Sequence, residues 1–412
     1  MPKYPRTSHI VVEPYTRQQE GNEIIIGRVE TGLFVAVPPE AVDVLERLSE
    51  GDTVGEVSDH YQRQYGEIPD LEDFLSLMES KGIIQSCTAI ENGDGSLVTS
   101  ATKISKRRFH FANFPETLAQ KIFSWQSLTG ASILMATAAV ALLFRPSLRP
   151  SARDLFFPDH RTLCVTLLTL ISYFSIFLHE LGHLVAARAL GINSRLGLSN
   201  RLWYLVAETD LTGLWSVPKN QRYLPLVAGV LVDLVLASVL VLFLFFSGQS
   251  IVTLPIIAQR LVRALVVTCL LRIAWQFFFY IRTDFYYVIA NFFGCKNLLG
   301  DTTGFIRNQL ARIFRFIRPI DQSSIPSSEF RMIRFYAVIW AAGRGMALFL
   351  LVTVTVPVFV RYAHSLRSVF AAGYMAGRGN FVDGLLFSVY SMTPLVTGFS
   401  MWIIGLIRRE RT

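Results

Sequence analysis

The apolar positions along the chain change their pattern near residue 110. Before it they form short alternating or one-faced stripes; after it they form runs of about twenty residues. In the leading part, Ile24 to Val29 and Phe34 to Val37 predict two short strands joined through Thr31-Gly32, a hairpin signal. Three short helices follow. The first opens at Pro38-Pro39, carries Val42, Leu45 and Leu48 on one face, and stops at Gly51. The second is capped by Asp52-Thr53 and has the stripe Val54, Val57, Tyr61 and Tyr65. The third runs from about Asp70 to Ser80 with Leu71, Phe74, Leu75 and Met78 inward, and Gly82 ends it. Ile83-Ile84 adds a last strand. Residues 1–20 are expected to be flexible, and residues 21–85 to form a small α+β unit of winged-helix type.

Residues 86–108 predict a polar linker, with Asn92-Gly93-Asp94-Gly95-Ser96 at its middle and a basic cluster from Lys103 to Arg108 at its end. Apolar runs then predict spans near 126–144, 162–190, 223–247, 256–293 (interrupted), 334–360 and 382–407. The expected fold class is therefore mainly α: a six-span helical membrane domain behind the small α+β domain. Residues 109–300 form a membrane core of four spans, 301–333 a cytoplasmic amphipathic segment, and 334–412 two C-terminal spans. Lys103, Lys106, Arg107 and Arg108, the set from Arg188 to Arg222, the set from Lys296 to Arg318, and Arg408, Arg409 and Arg411 fall on one side. A smaller basic set, Arg145 to Arg161 and Arg361, Arg367 and Arg378, falls on the other, so both termini are expected in the cytoplasm. Between spans four and five, Phe305, Ile306, Leu310, Ile313, Phe314 and Ile317 alternate with Arg307, Arg312, Arg315 and Arg318. This predicts a basic amphipathic helix, either lying on an anionic leaflet or packing within the cytoplasmic loop.

Composition supports the membrane assignment: of 412 residues, 51% are hydrophobic and only 17% charged. Soluble domains carry about 25% charged residues. The first twenty residues lack an apolar core, so no cleavable signal peptide is expected. Net charge is +8, but Glu20 to Gly82 holds four Lys/Arg against fifteen Asp/Glu, a net of −11, leaving +19 for the rest. Such an acidic front unit would repel phosphates, which argues against nucleic-acid binding and a membrane-anchored transcription regulator. Cys87, Cys164, Cys269 and Cys295 form no C-x-x-C pair, so neither a disulfide framework nor a cysteine zinc site is expected.

The chemistry concentrates in His179-Glu180-Leu181-Gly182-His183, inside the apolar run from Thr162 to Leu190. Histidines at i and i+4 share one helix face, so both can reach one metal ion, and the intervening glutamate is placed to take a proton from water activated there. Two histidines and a glutamate inside a span are costly and therefore functional candidates. A catalytic zinc wants a third protein ligand, and the intramembrane acids are Asp233 and Asp284. His179 and His183 lie roughly 14 and 8 Å of helix rise before Arg188. Asp284 precedes Lys296 by twelve residues and Asp233 follows Arg222 by eleven, so depth does not separate the two.

The stretch Phe177 to Arg188 resembles the motif of site-2-type intramembrane zinc metalloproteases, and more closely that of peptide zinc metalloproteases encoded with peptide-maturation genes. The resemblance implies a later segment bearing an Asn, a Pro and an Asp-Gly whose aspartate is the third ligand. Ile281-Arg282-Thr283-Asp284-Phe285 stands at that place, making Asp284 the ligand. Gln276 stands for the Asn, Phe279 for the Pro and Phe285 for the Gly. A glutamine amide can still donate to a developing oxyanion, so Gln276 is carried over as a catalytic residue. Val227 to Asp233 resembles the family's glycine-containing third span, leaving Asp233 as a supporting residue or alternative ligand.

The front unit resembles PqqD-like leader-peptide-recognition domains through Phe34-Val35-Ala36-Val37, Ala41 to Leu45, Gly51 to Val57 and Leu77 to Ile84. That resemblance implies a groove where a leader peptide adds as a strand. Together the two resemblances imply a zinc-dependent endopeptidase in a bacterial cytoplasmic membrane. It would use Glu180 as base to cleave a leader-bearing or membrane-associated peptide, alongside an exporter or a modifying enzyme. The alternative is a catalytically inactive peptide-binding scaffold or export component of the same fold. Two histidines and a carboxylate suit zinc, and would also accept iron or cobalt.

Overall fold

The computed structural model describes residues 3–86, 113–155, 161–201, 204–248, 254–295, 297–323, 325, 327–350, scattered positions between 352 and 393, and 396–405. The described chain is mainly helical, with small sheets near its N-terminus. It divides into two compact units. One gathers Met1–Ala119, Ala187–Arg195 and Asp210–Arg222; the other gathers Gln120–Ala186, Leu196–Thr209 and Tyr223–Thr412.

In the first unit, β1 (Ile10–Val12), β2 (Thr16–Glu20), β3 (Glu23–Arg28) and β4 (Leu33–Val37) precede α1 (Pro39–Glu50), α2 (Val54–Tyr65), α3 (Leu71–Ser80) and β5 (Ile84–Ser86). β2, β3 and β4 form an antiparallel meander, with Ile25 opposite Ala36, and β1 pairs with β5 through Ile10 and Ser86. The strands β1 and β2 lie in residues expected to be flexible. Local pattern hides them because β2 is polar and β1 is three residues long; their order comes from pairing with β3 and β5. The three helices and the β3–β4 hairpin stand where the apolar stripes place them. Ile26, Leu45, Leu75, Met78, Ile83 and Ile84 are fully buried in one core. Tyr65 departs from its predicted stripe and is exposed. Gly51 ends α1 in the left-handed conformation, at φ 103°.

Thr53 and Glu56 form a reciprocal cap on α2: the Glu56 N–H donates to the Thr53 hydroxyl at 3.3 Å, and the Thr53 N–H donates to the Glu56 carboxylate at 2.8 Å. Thr53→Ala is expected to lower the opening free energy of α2 by about 1 kcal/mol, measured by hydrogen exchange of the α2 amides. The Thr53 backbone and side-chain hydrogen bonds hold the Glu56 carboxyl below its ordinary value of 4.5. The cap is therefore complete above that value and is lost as pH falls through the lowered one.

Two later segments complete this unit. Arg222 stacks on Trp215 at 4.7 Å and pairs with Glu20 of β2 at 3.1 Å, and the short 3₁₀ turn Thr212–Ser216 packs on β2, β3 and β4. Arg188 pairs with Glu116 at 3.3 Å and donates to the Asn193 side chain at 3.0 Å.

Beyond the first unit's strands and helices come α4 (Glu116–Ile122), α5 (Trp125–Phe144), α6 (Arg161–Arg188), the paired strands β6 (Arg195–Arg201) and β7 (Tyr204–Asp210), α7 (Tyr223–Gly248), α8 (Ile256–Trp275), α9 (Asp284–Phe293), α10 (Leu298–Ala311) and α11 (Ser327–Leu350). Four helical stretches are long and apolar enough to cross a membrane: Glu116–Phe144, Thr166–Arg188, Tyr223–Gly248 and Glu329–Leu350. Trp125, Leu143 and Phe144 of α5 are largely exposed, an apolar surface that a bilayer would cover. The predicted interrupted span appears as α8, a non-helical stretch 276–283, and α9. α8 is not among the four membrane-length apolar helices, since Arg260, Arg263 and Arg272 interrupt it. The sixth predicted span falls largely outside the described residues, apart from the apolar helix Val396–Gly405. The predicted polar linker and its basic cluster also lie outside them, apart from Ser86.

The amphipathic stretch is not one helix. α10 stops at Ala311, and the chain doubles back so that the Ile320 N–H donates to Asn308 at 2.7 Å and Arg307 donates to the Arg318 carbonyl at 2.8 Å. Leu298 and Phe305 pack against Ile333 and Tyr336 of α11, while Leu310, Ile313 and Phe314 of the predicted stripe are exposed.

Candidate metal centre

α6 is exposed on several apolar residues of its first half, including Leu170, Tyr173 and Phe174, and buried from Leu184 to Ala187. His179, Glu180 and His183 lie at this change and are themselves buried. α7 makes the approach that buries them. A Cβ on Gly182 would meet the Val232 side chain at 2.7 Å, so this glycine admits the neighbouring helix. A Cβ on Gly229 would lie under 3.0 Å from Nε2 of both histidines. Gly229 therefore keeps open the space that the two imidazoles face.

That space has three donor atoms around it. The two histidine Nε2 atoms are 3.3 Å apart, and Oδ2 of Asp284 lies 3.1 Å from His179 Nε2 and 3.3 Å from His183 Nε2. Tetrahedral coordination with bonds of about 2.0–2.1 Å spaces its donor atoms about 3.3 Å apart. The triangle thus has the edge lengths of three corners of such a site. Among the described residues, His179, His183 and Asp284 form a group that could hold a metal ion.

The opposite ring nitrogens are held. His183 Nδ1 lies 2.7 Å from the Pro225 carbonyl, which can only accept, so Nδ1 carries a proton and the neutral, metal-ligating ring presents its lone pair at Nε2. His179 Nδ1 lies 2.8 Å from Oδ2 of Asp233, which is fully buried. The two aspartates differ in which nitrogen each faces: Asp233 stands behind His179, and Asp284 stands in front of both rings.

Asp284 opens α9, with its carboxylate in the first turn, where the helix dipole favours negative charge. The break before it forms without the Pro and Gly that the resemblance implied. Phe279 presents its carbonyl to the Tyr336 hydroxyl, and Thr283 donates to the Gln276 carbonyl at 2.9 Å. These contacts satisfy backbone groups that the interrupted helix leaves open. Gln276 accepts the Asp284 N–H through Oε1 at 3.0 Å. Its carbonyl oxygen is thereby committed to positioning Asp284, and its amide NH₂ is the half able to donate.

Glu180 is anchored from β7. The Thr209 hydroxyl lies 2.8 Å from Glu180 Oε2 and 3.0 Å from the Glu180 carbonyl. Sequence reading misses β6, β7 and Thr209, although Leu196 and Leu198 alternate with polar or small residues and Tyr204 to Ala207 is an apolar run. Arg272 of α8 is also absent from it, although an arginine within an apolar helix is itself a signal. Its guanidinium holds both oxygens of Asp233, with Nε 2.8 Å from Oδ2 and Nη2 on Oδ1. No protein-family model, no curated protein and no solved structure matches this chain.

Proposed function

We propose that this protein is an intramembrane zinc endopeptidase that cleaves a peptide presented from the cytoplasmic side. The observation that carries the reading is the triangle of His179 Nε2, His183 Nε2 and Asp284 Oδ2, with Glu180 next to the first histidine on the same helix. A zinc ion held by these three residues would polarise the scissile carbonyl and make water acidic enough to lose its proton near neutral pH. Glu180 takes that proton at its carboxylate and hands it to the leaving amine, with Thr209 keeping the carboxylate in place. The Gln276 amide donates to the developing oxyanion. The chain crosses a bacterial cytoplasmic membrane six times with both termini inside. The acidic N-terminal unit is a winged-helix-type, PqqD-like domain that holds the leader of the substrate, and an exporter or modifying enzyme supplies or removes it. Holding the leader raises the local concentration of the segment to be cut.

The test is metal stoichiometry on the detergent-purified full chain. About one zinc per chain is expected for the wild type, and Asp284→Ala is expected to lose it. Asp233→Ala is expected to keep the stoichiometry at saturating zinc while weakening affinity about 10–100-fold, because it removes the partner of His179 rather than a member of the triangle. No zinc on folded, chelator-free wild type would overturn the reading and favour a peptide-binding scaffold.

A further inference from the structure

Arg272 is a cation in the last turn of α8, and nothing in the proposed peptide cleavage uses it directly. Its contacts beyond α8 lead back toward His179. Nε and Nη2 take both carboxylate oxygens of Asp233, and Nη1 donates to the Ser175 hydroxyl at 3.0 Å. Ser175 lies one helical turn before His179 and passes its own proton to the Ser172 carbonyl at 2.9 Å. Its oxygen is therefore left to accept from Arg272. Asp233 in turn reaches His179 Nδ1 at 2.8 Å.

For a neutral imidazole, the form that ligates a metal, the hydrogen-bond inventory of this chain of contacts admits one arrangement. A guanidinium has donors only, so both Asp233 oxygens act as acceptors toward it. Oδ2 then meets His179 Nδ1 as an acceptor too, and the contact requires the proton on Nδ1. His179 Nε2 is left with its lone pair directed at His183 Nε2 and Asp284 Oδ2. We infer that Arg272 is a positioning residue for the metal site: through Asp233 and Ser175 it fixes both the orientation and the tautomer of His179. This rests on the zinc reading of the site. A bidentate, three-point hold is what an arginine can supply and a lysine cannot, because an ammonium has no planar fork to match a carboxylate.

Zinc affinity of the full chain in detergent, measured by competition with a chromophoric chelator, separates this role from simple neutralisation of a buried charge. The d–d spectrum of the cobalt-loaded chain is the second readout, since it reports coordination geometry. Arg272→Lys keeps the charge. It is expected to weaken zinc binding about 10–100-fold and to change the cobalt spectrum, the effect seen when partners behind metal-bound histidines are removed. Neutralisation alone predicts wild-type affinity for this variant. Ser175→Ala, which leaves every charge in place, is expected to weaken binding about threefold to tenfold and decides the matter if Arg272→Lys fails to fold. Wild-type zinc uptake with unchanged affinity and cobalt spectrum in a folded variant overturns the assignment of Arg272 alone. No zinc on the wild type overturns the metal reading and this assignment with it.

Discussion

Glu180→Gln is expected to leave about one zinc per chain and to lower cleavage of a generic fluorescent casein substrate by about 10²–10⁴-fold, the usual contribution of a positioned acid–base group. The substitution is nearly isosteric, and the glutamine carbonyl can still accept the Thr209 hydroxyl that now lies 2.8 Å from Oε2. His179, His183 and Asp284 are untouched, so the metal site persists. What is lost is the group that carries the proton from water to the leaving amine. Zinc retained together with wild-type cleavage would remove Glu180 from the mechanism. Zinc retained with cleavage gone would separate holding the metal from doing the chemistry.

Gly229→Ala is expected to bring zinc stoichiometry from about one to near zero while the protein remains folded. A methyl at this position would fall under 3.0 Å from Nε2 of both histidines, in the space that the triangle encloses. Neither ring can retreat freely, since one is held through Nδ1 by Asp233 and the other by the Pro225 carbonyl. Overpacking of this kind costs about 1–3 kcal/mol, part of it returned because alanine favours the helix more than glycine does. The substitution should therefore empty the site without unfolding α7. Full zinc occupancy in this variant, measured by elemental analysis against protein concentration, would mean that the rings and the helix sit farther apart than the structure has them.

These two substitutions also mark the line between local and tertiary information. The sequence by itself determined which faces of which segments are apolar. The stripes of α1 and α3 identify the buried Val42, Leu45, Leu48, Leu75 and Met78, and the long apolar runs mark the membrane-length helices. It also placed His179 and His183 on one face, since a spacing of four residues needs only helix geometry. Spacing and expected depth could not decide which distant residue completes the triangle, since Asp233 and Asp284 are both acids at similar distances from basic flanks, and only the resemblance singled out Asp284. Only the packing of α7 and α9 on α6 sets one behind His179 Nδ1 and the other before Nε2. The break at residues 276–283 likewise has no proline or glycine to announce it, and depends on contacts such as the Tyr336 hydroxyl on the Phe279 carbonyl. β1 is short and β2 is polar, and both are ordered by their partners rather than by their own pattern. Helix faces follow from a residue's near neighbours in the chain. The rear support of a histidine, the clearance over Gly229 and the fork of Arg272 arise from residues dozens of positions apart, which only the folded chain brings within hydrogen-bonding reach.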